Sequence, residues 1–220
     1  MCDKTFLDPD RPDLEDLRAW WKDLLVPYKV EPSAEENYFR LLAEAYTGKG
    51  RVYHTLRHIE SMLRVIESVE DEIQNPDAVR FATWFHDAVY DTTRSDNEEK
   101  SAELAGRVLD DLGVPAAVSG AAQALILATK KHEAAGASPD LEIFLDADLS
   151  ILGAPEEVYQ EYSRAIREEY GWVPDRVYRR ERRRILSGFL ARPRIYFNRT
   201  MAGRYEAQAR ANLAREIEQL

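Results

Sequence analysis

The amino-acid sequence predicts an all-α protein, on three observations. Apolar residues recur at spacings of three and four along most of the chain, the period of a helix that buries one side. No segment shows sustained apolar–polar alternation, and hairpin dipeptides of the Asn-Gly kind are missing. Proline, glycine and asparagine punctuate the chain at helix-length intervals.

Taken in order, 14–28 carries Leu14, Leu17, Trp20, Trp21, Leu24 and Leu25 as an amphipathic stripe. Pro32-Ser33-Ala34-Glu35-Glu36 reads as a helix start, with Ser33 as N-cap and Glu36 at the third helical position, and this helix runs to Tyr46. A helix over 54–69 presents Leu56, Ile59, Met62, Leu63 and Ile66 to the core. Asn75-Pro76-Asp77 precedes a short, strongly apolar helix over 78–90. Asp96-Asn97-Glu98-Glu99 opens the next, which reaches Leu112-Gly113, and 115–132 continues the series. The loop Gly136-Ala137-Ser138-Pro139-Asp140 leads into a helix that holds Asp146 and Asp148. Helices over 155–170, 174–190 and 202–220 complete a bundle of roughly eight to ten helices. Trp20, Trp21 and Trp84 belong most simply to its core. With no internal repeat, low-complexity tract or Gly/Ser-rich linker, one domain over 1–220 is expected, with its motifs concentrated in 53–153.

A chain of 220 residues is long enough to bury a substantial core, and 45% hydrophobic with 32% charged residues is ordinary for a globular protein. A net charge of −10 argues against binding duplex nucleic acid, which needs a basic footprint. It does not exclude a small anionic substrate, because a bound cation reverses the local potential. The run Arg179-Arg180-Glu181-Arg182-Arg183-Arg184 reads as a solvated helix face. Cys2 is the only cysteine, so no intrachain disulfide can form and a reducing compartment is expected. The first residues contain no apolar stretch of signal-peptide length, and no run approaches the roughly 20 apolar residues of a membrane span. A cytoplasmic protein without a membrane partner is expected, and a homo-oligomer is compatible with the sequence.

All four histidines lie between positions 54 and 132, in Tyr53-His54-Thr55-Leu56-Arg57-His58, Phe85-His86-Asp87 and Lys130-Lys131-His132. Imidazole and carboxylate are the ligands from which first-row divalent metal sites are built. His54 and His58, four apart, would share one helical face. His86 and Asp87 sit in an apolar stretch where burying such a pair is costly unless something compensates, and a metal ion is an economical compensation. Asp91, four residues after Asp87, falls on the same face if the helix continues. Asp146 and Asp148 lie about 200° apart around a helix, so only one can face an ion. Asp148 is favoured and Asp146 is the alternative, although both are also good helix-capping residues. The donor set suits Mn²⁺, Fe²⁺, Co²⁺, Ni²⁺ or Zn²⁺ and tolerates Mg²⁺.

The order His58, His86-Asp87, Asp148 in a helical chain resembles the HD superfamily of metal-dependent phosphohydrolases. Phe-His-Asp-Ala-Val-Tyr-Asp, Asp-Asn-Glu-Glu-Lys-Ser-Ala and Leu-Asp-Ala-Asp-Leu-Ser-Ile-Leu-Gly, with the Tyr53 to His58 block, look like signatures of a bacterial subfamily of predicted HD phosphohydrolases. The cyclic nucleotide phosphodiesterases are more distantly similar, through the spacing of Tyr53-His54 to His58 and the Ala-Asp-Leu-Ser string at 147–150. The resemblance implies that His58, His86, Asp87 and Asp148 are metal ligands and His54 is the proton donor. Thr55 stands where the phosphodiesterases have asparagine. Glu98 is placed like the helix-borne acid that some HD nucleotidases use near the water. Asp91 is placed like half of the Glu-Asp pair of the alarmone hydrolases, whose other half is Tyr90 here. Arg57, Lys130 and His132 are candidates to grip phosphate, His132 alternatively a second metal. Tyr162, Arg167 and Tyr170 could reach a substrate, although packing with outward polar heads is the simpler reading.

The implied activity is hydrolysis of a phosphate ester or anhydride in a small metabolite, a nucleotide being expected. Two rivals remain. One is a di-iron centre that performs oxidation, with His132 and Asp91 as extra ligands. The other is a non-catalytic module that binds a nucleotide or a partner protein and keeps the metal for stability.

Overall fold

Helix α4 (Pro76–Phe85) is the element around which the others are arranged. Ala78, Val79, Phe81, Ala82, Thr83, Trp84 and Phe85 are all buried, so it is covered over most of its surface, with Pro76, Asp77 and Arg80 partly exposed. Its partners are α3 (Leu56–Glu67), α5 (Asn97–Asp111), α6 (Ala116–Ala128) and α7 (Pro139–Asp148). Across its outer end lie α1 (Leu14–Leu25) and α2 (Pro32–Tyr46), where Trp21 meets Trp84 edge-on at 5.5 Å between ring centroids. The Tyr46 hydroxyl donates to the Trp84 carbonyl at 3.0 Å, and the Trp21 indole to the Glu35 carbonyl at 3.1 Å. Trp21 and Trp84 are fully buried, and Trp20 is partly buried against the same cluster.

The computed structural model describes residues 14–134 and 138–220, and its described residues form ten α-helices, three short 3-10 turns and no strand. The all-α expectation is met. Cys2, the N-terminal residues read for a leader, and Gly136 and Ala137 of the expected loop lie outside the described residues. No helix among the described residues is long and apolar enough to cross a membrane. The second half of the chain adds α8 (Glu156–Glu169), α9 (Asp175–Leu190) and α10 (Arg199–Gln219), with α10 lying along α9 and the turn at Leu149–Gly153. The core side chains form one contiguous cluster.

Several helix limits differ from expectation. The helix expected over 78–90 stops at Phe85, where His86 is the C-cap, and 86–90 is a turn. The helix expected from His54 starts at Leu56, with Thr55 as an extended N-cap residue. Pro32, not Ala34, occupies the first helical position of α2, so Glu31 precedes the helix and Ser33 is inside it; proline's fixed φ suits that position. Glu36 therefore makes no capping box and pairs with Arg18. Helix α6 ends at Ala128 and α10 begins three residues early, at Arg199, where the Asn198 side chain accepts from Thr200 and Met201 N–H. The arginine run is not wholly solvated: Arg182 is 8% exposed and pairs with Glu216 at 2.8 Å.

The close approach of α10 to the turn at Leu149–Gly153 depends on Gly153. A Cβ there would lie 2.5 Å from Tyr205 Cβ and 2.7 Å from the Tyr205 carbonyl oxygen, so α10 rests directly on this backbone. Gly153→Ala is expected to destabilise the protein by about 1–3 kcal/mol or more through overpacking, read as a lower urea midpoint at unchanged m-value.

Candidate metal centre

Four separate chain segments meet at one buried point. His58 comes from the first turn of α3, His86 and Asp87 from the turn that ends α4, and Asp148 from the last residue of α7. His132, beyond α6, joins them in a left-handed backbone conformation (φ +50°), which is uncommon for a residue other than glycine. His58 Nε2 lies 3.1 Å from His86 Nε2 and 3.1 Å from Asp148 Oδ1. His86 Nε2 is 3.2 Å from Asp87 Oδ2 and 3.8 Å from Asp148 Oδ1. His132 Nε2 sits 2.8 Å from the other oxygen of Asp148.

Donor atoms of His58, His86 and Asp148 all fall within 4.8 Å of one another, a group that can hold a metal ion. The surrounding hydrogen bonds favour that use. His86 Nδ1 faces the Thr83 carbonyl at 3.0 Å, and a carbonyl only accepts, so Nδ1 carries a proton and Nε2 is the nitrogen turned inward. Burial opposes a charged ring, but the Asp87 charge and hydrogen bond, with Asp148, raise this imidazole to about 9. His58 Nδ1 is likewise engaged, by the Tyr53 hydroxyl at 3.1 Å. Among the described residues, neither the Asp87 nor the Asp148 carboxylate meets a lysine or arginine within ion-pair distance; both face imidazoles. Burial opposes the ionised Asp148, but hydrogen bonds from His132 and His58 and the nearby His86 hold its carboxyl well below the ordinary range. Burial likewise lowers His58, and hydrogen bonding to Asp148 only partly offsets it, so its imidazole is neutral and able to ligate.

His54 stands beside this group in the turn before α3. Its Nε2 is 3.9 Å from Asp87 Oδ2, and its Nδ1 lies 2.6 Å from Glu169 Oε2. Glu169, the last residue of α8, is buried and saturated: Oε1 accepts from Val52, Tyr53 and His54 N–H at 2.7, 2.8 and 3.0 Å, and Oε2 from the Tyr90 hydroxyl at 2.8 Å. The Tyr90 ring lies 4.3 Å from that of His54. Burial works against a charged His54, yet the Asp87 charge and the Glu169 bond outweigh it and raise the imidazole above its ordinary value. Arg51 ties the two motif turns together, donating to the carbonyls of His54 at 2.9 Å and Asp87 at 2.7 Å.

Compared with known proteins, the chain matches no family model, no curated protein and no solved structure.

The remaining candidates are placed elsewhere. Asp91 is exposed and accepts from Thr93 N–H and Oγ1 at 2.8 and 2.6 Å; with α4 ended at Phe85, the helical argument that put it beside Asp87 does not hold. Glu98, on α5, faces Lys130 at 3.8 Å. Lys130 also pairs with Glu99 and donates to the Ser95 carbonyl at 2.8 Å, which bridges α6 to α5. Arg57 is half-buried on α3 and lines a cavity with His58, Tyr53 and Tyr162. Arg167 donates to the Tyr170 and Val173 carbonyls at 2.8 and 3.2 Å, while Tyr162 and Tyr170 face a cleft beside the centre. Asp146, the alternative to Asp148, points away. It is fully buried and accepts from Phe197 and Asn198 N–H at 2.9 and 2.7 Å, anchoring the start of α10, and its burial raises its carboxyl to about 7 despite those two donors. Asp148, at the end of α7, caps no helix with its side chain.

Glu169, Tyr90 and Arg51 were missed by motif reading. Glu169 alone left a trace: acids at 168 and 169, in the last turn of a helix, oppose the helix dipole and need another reason to be there.

Asp146→Ala should cost about 1–3 kcal/mol in urea unfolding, since two buried N–H groups lose their acceptor, while the geometry of the His58, His86 and Asp148 group is untouched. Burial would raise Glu169, but His54 and the backbone donors hold it at about 2 against an ordinary 4.5. A depressed carboxylate stabilises the fold above its ordinary pKa and loses that contribution as pH falls through the folded one. Glu169→Gln is therefore expected to be less stable than wild type at neutral pH, with the gap closing between pH 4.5 and about 2 in urea melts run across pH.

Proposed function

We propose that the protein is a metal-dependent phosphohydrolase acting on a phosphate ester or anhydride of a small metabolite. The observation that carries this reading is the convergence of His58, His86 and Asp148 donors, with Asp87 alongside, in a buried pocket where, among the described residues, the carboxylates pair with imidazoles and with no lysine or arginine. The order of these residues, which resembles that of the HD superfamily, adds to it.

His58, His86 and Asp148 would hold the ion, with Asp87 as the fourth protein ligand. Two imidazoles with carboxylate oxygens suit a first-row divalent cation. When bound, the ion supplies Lewis acidity that makes water a nucleophile near neutral pH and offsets phosphoryl charge. His54 donates the proton that the leaving oxygen needs: Glu169 holds Nδ1, leaving Nε2 turned toward the centre, and Glu169 and Asp87 favour the charged imidazole. The three backbone donors on Glu169 Oε1 fix that carboxylate, so His54 is oriented before substrate arrives. His132, through Asp148, orients the ligating carboxylate and lies on the open side, where a phosphate oxygen could reach it.

A dinuclear iron centre takes support from the single contact of His132 with the outer oxygen of Asp148. Asp91, which that reading also needs, is bound to Thr93 on the surface, so the mononuclear hydrolase is favoured.

Protein purified without chelator is expected to contain a divalent metal by elemental analysis and to release phosphate from phosphoester substrates. His86→Ala and Asp148→Ala should lose both the metal and the turnover. Retained turnover in either variant would overturn the reading. His54→Gln should keep its metal but lower kcat by about 10²–10⁴-fold, the usual contribution of a general acid. Glu169→Gln should lower kcat less and shift the pH profile, because it removes the group that favours His54 in its charged form.

A further inference from the structure

A cleft of about 690 Å³ opens directly from the centre, with His54, His132 and Asp148 at its inner end. Its body is built by α8, α9 and the turn at 149–153, and aliphatic side chains dominate it: Ile151, Leu152, Ile166, Val177, Ile185 and Leu186. The polar groups that reach it are already engaged. Arg182 is held by Glu216 through two hydrogen bonds, at 2.8 and 3.1 Å. Glu181 accepts from Arg180 and Arg184, both at 2.9 Å, and Thr92 Oγ1 accepts from the Trp172 indole at 2.8 Å. One exception remains. Tyr178 lines the cleft and is 9% exposed, yet its hydroxyl is buried with no hydrogen-bond partner.

Such a wall discriminates among phosphorylated compounds. A ribose or other sugar placed along the aliphatic part of the wall would bury hydroxyls against side chains that offer no partner, which is costly. A hydrocarbon group would meet that part of the wall without such a cost. The outer rim is apolar as well: Trp172, Val177 and Ile185 are 59%, 40% and 44% exposed. Val177 and Ile185 belong to α9, and Arg182, the arginine that lines the cleft, is held by Glu216.

We infer that the substrate is an amphiphilic phosphate ester whose hydrocarbon leaving group fills this cleft, with its phosphate at the metal centre. The inference rests on the hydrolase reading above. In the reaction, water forms a new P–O bond and the bond from phosphorus to the leaving oxygen breaks. That oxygen keeps the electron pair and takes a proton from His54, so the products are an aliphatic alcohol and inorganic phosphate.

The test uses the full chain loaded with Mn²⁺ and a series of n-alkyl phosphates from butyl to decyl, each below its micelle concentration, beside nucleoside monophosphates. Phosphate release should show kcat/KM rising about three- to fourfold per added methylene until the cleft is full, with decyl phosphate at least tenfold above any nucleotide. Ile185→Asp, an exposed change in the wall, should flatten that slope. Binding of non-hydrolysable alkylphosphonates, followed by calorimetry, should tighten with chain length in parallel. A flat series with nucleotides preferred would overturn the inference and leave the hydrolase reading standing. An unchanged slope in the Ile185→Asp variant would likewise overturn it. Chain-length-dependent phosphonate binding with no hydrolysis of any phosphate would uphold the cleft's ligand class and sink the hydrolase reading instead.

Discussion

Asp87 and Asp148 are carried into a region walled by helices α3, α4 and α7, where, among the described residues, their ion-pair partners are imidazoles. Carboxylates so placed lose hydration that must be replaced by partners in the protein, and the local structure is arranged around that constraint. His132 accepts an unusual backbone conformation to reach Asp148. The Thr83 carbonyl sets the proton of His86, and Arg51 fastens the two turns that present His54 and Asp87. Each contact lowers the cost of gathering negative charge at one point, and together they form a site whose complement is a cation.

That site needs a rigid platform, and α4 provides it. Because the C-terminal half of this helix, from Phe81 to Phe85, is buried throughout, its end is held against α3, α6 and α7, and His86 and Asp87 inherit that position. The aromatic cluster of Trp21, Phe39, Phe81 and Trp84 sits at the opposite side of the same helix. Packing there holds the turn that carries His86 and Asp87. On the other flank, Glu169 joins the end of α8 to the turn before α3, so the partner of His54 and part of the cleft wall belong to the same helix.

Much of this was legible in the sequence, and the parts that were not share a cause. Helices such as α8 and α9 lie where the sequence puts them, to within a residue at each end. The limits of α3, α4 and α6 were overrun, because their patterns continue into the turns that gather at the centre. His54, His86 and His132 all sit in such turns, so arguments from helical faces placed the right residues together for the wrong geometric reason. The same error put Asp91 beside Asp87, and there the structure separates them.

By itself the sequence determined the all-α class and, through residue type and order, the pool of donors: four histidines and a short list of aspartates. The choice within that pool belonged to the tertiary structure. Asp146 and Asp148 are equal as residue types, and only the direction of α7's last turn sends one to backbone donors at 197–198 and the other to the imidazoles. Glu169 and the cleft beside it were invisible for a related reason. A carboxylate becomes a partner of His54, and scattered aliphatic residues become one wall, only when the end of α8 meets the turn before α3 and α9 packs against α10, long-range packing that no local pattern encodes.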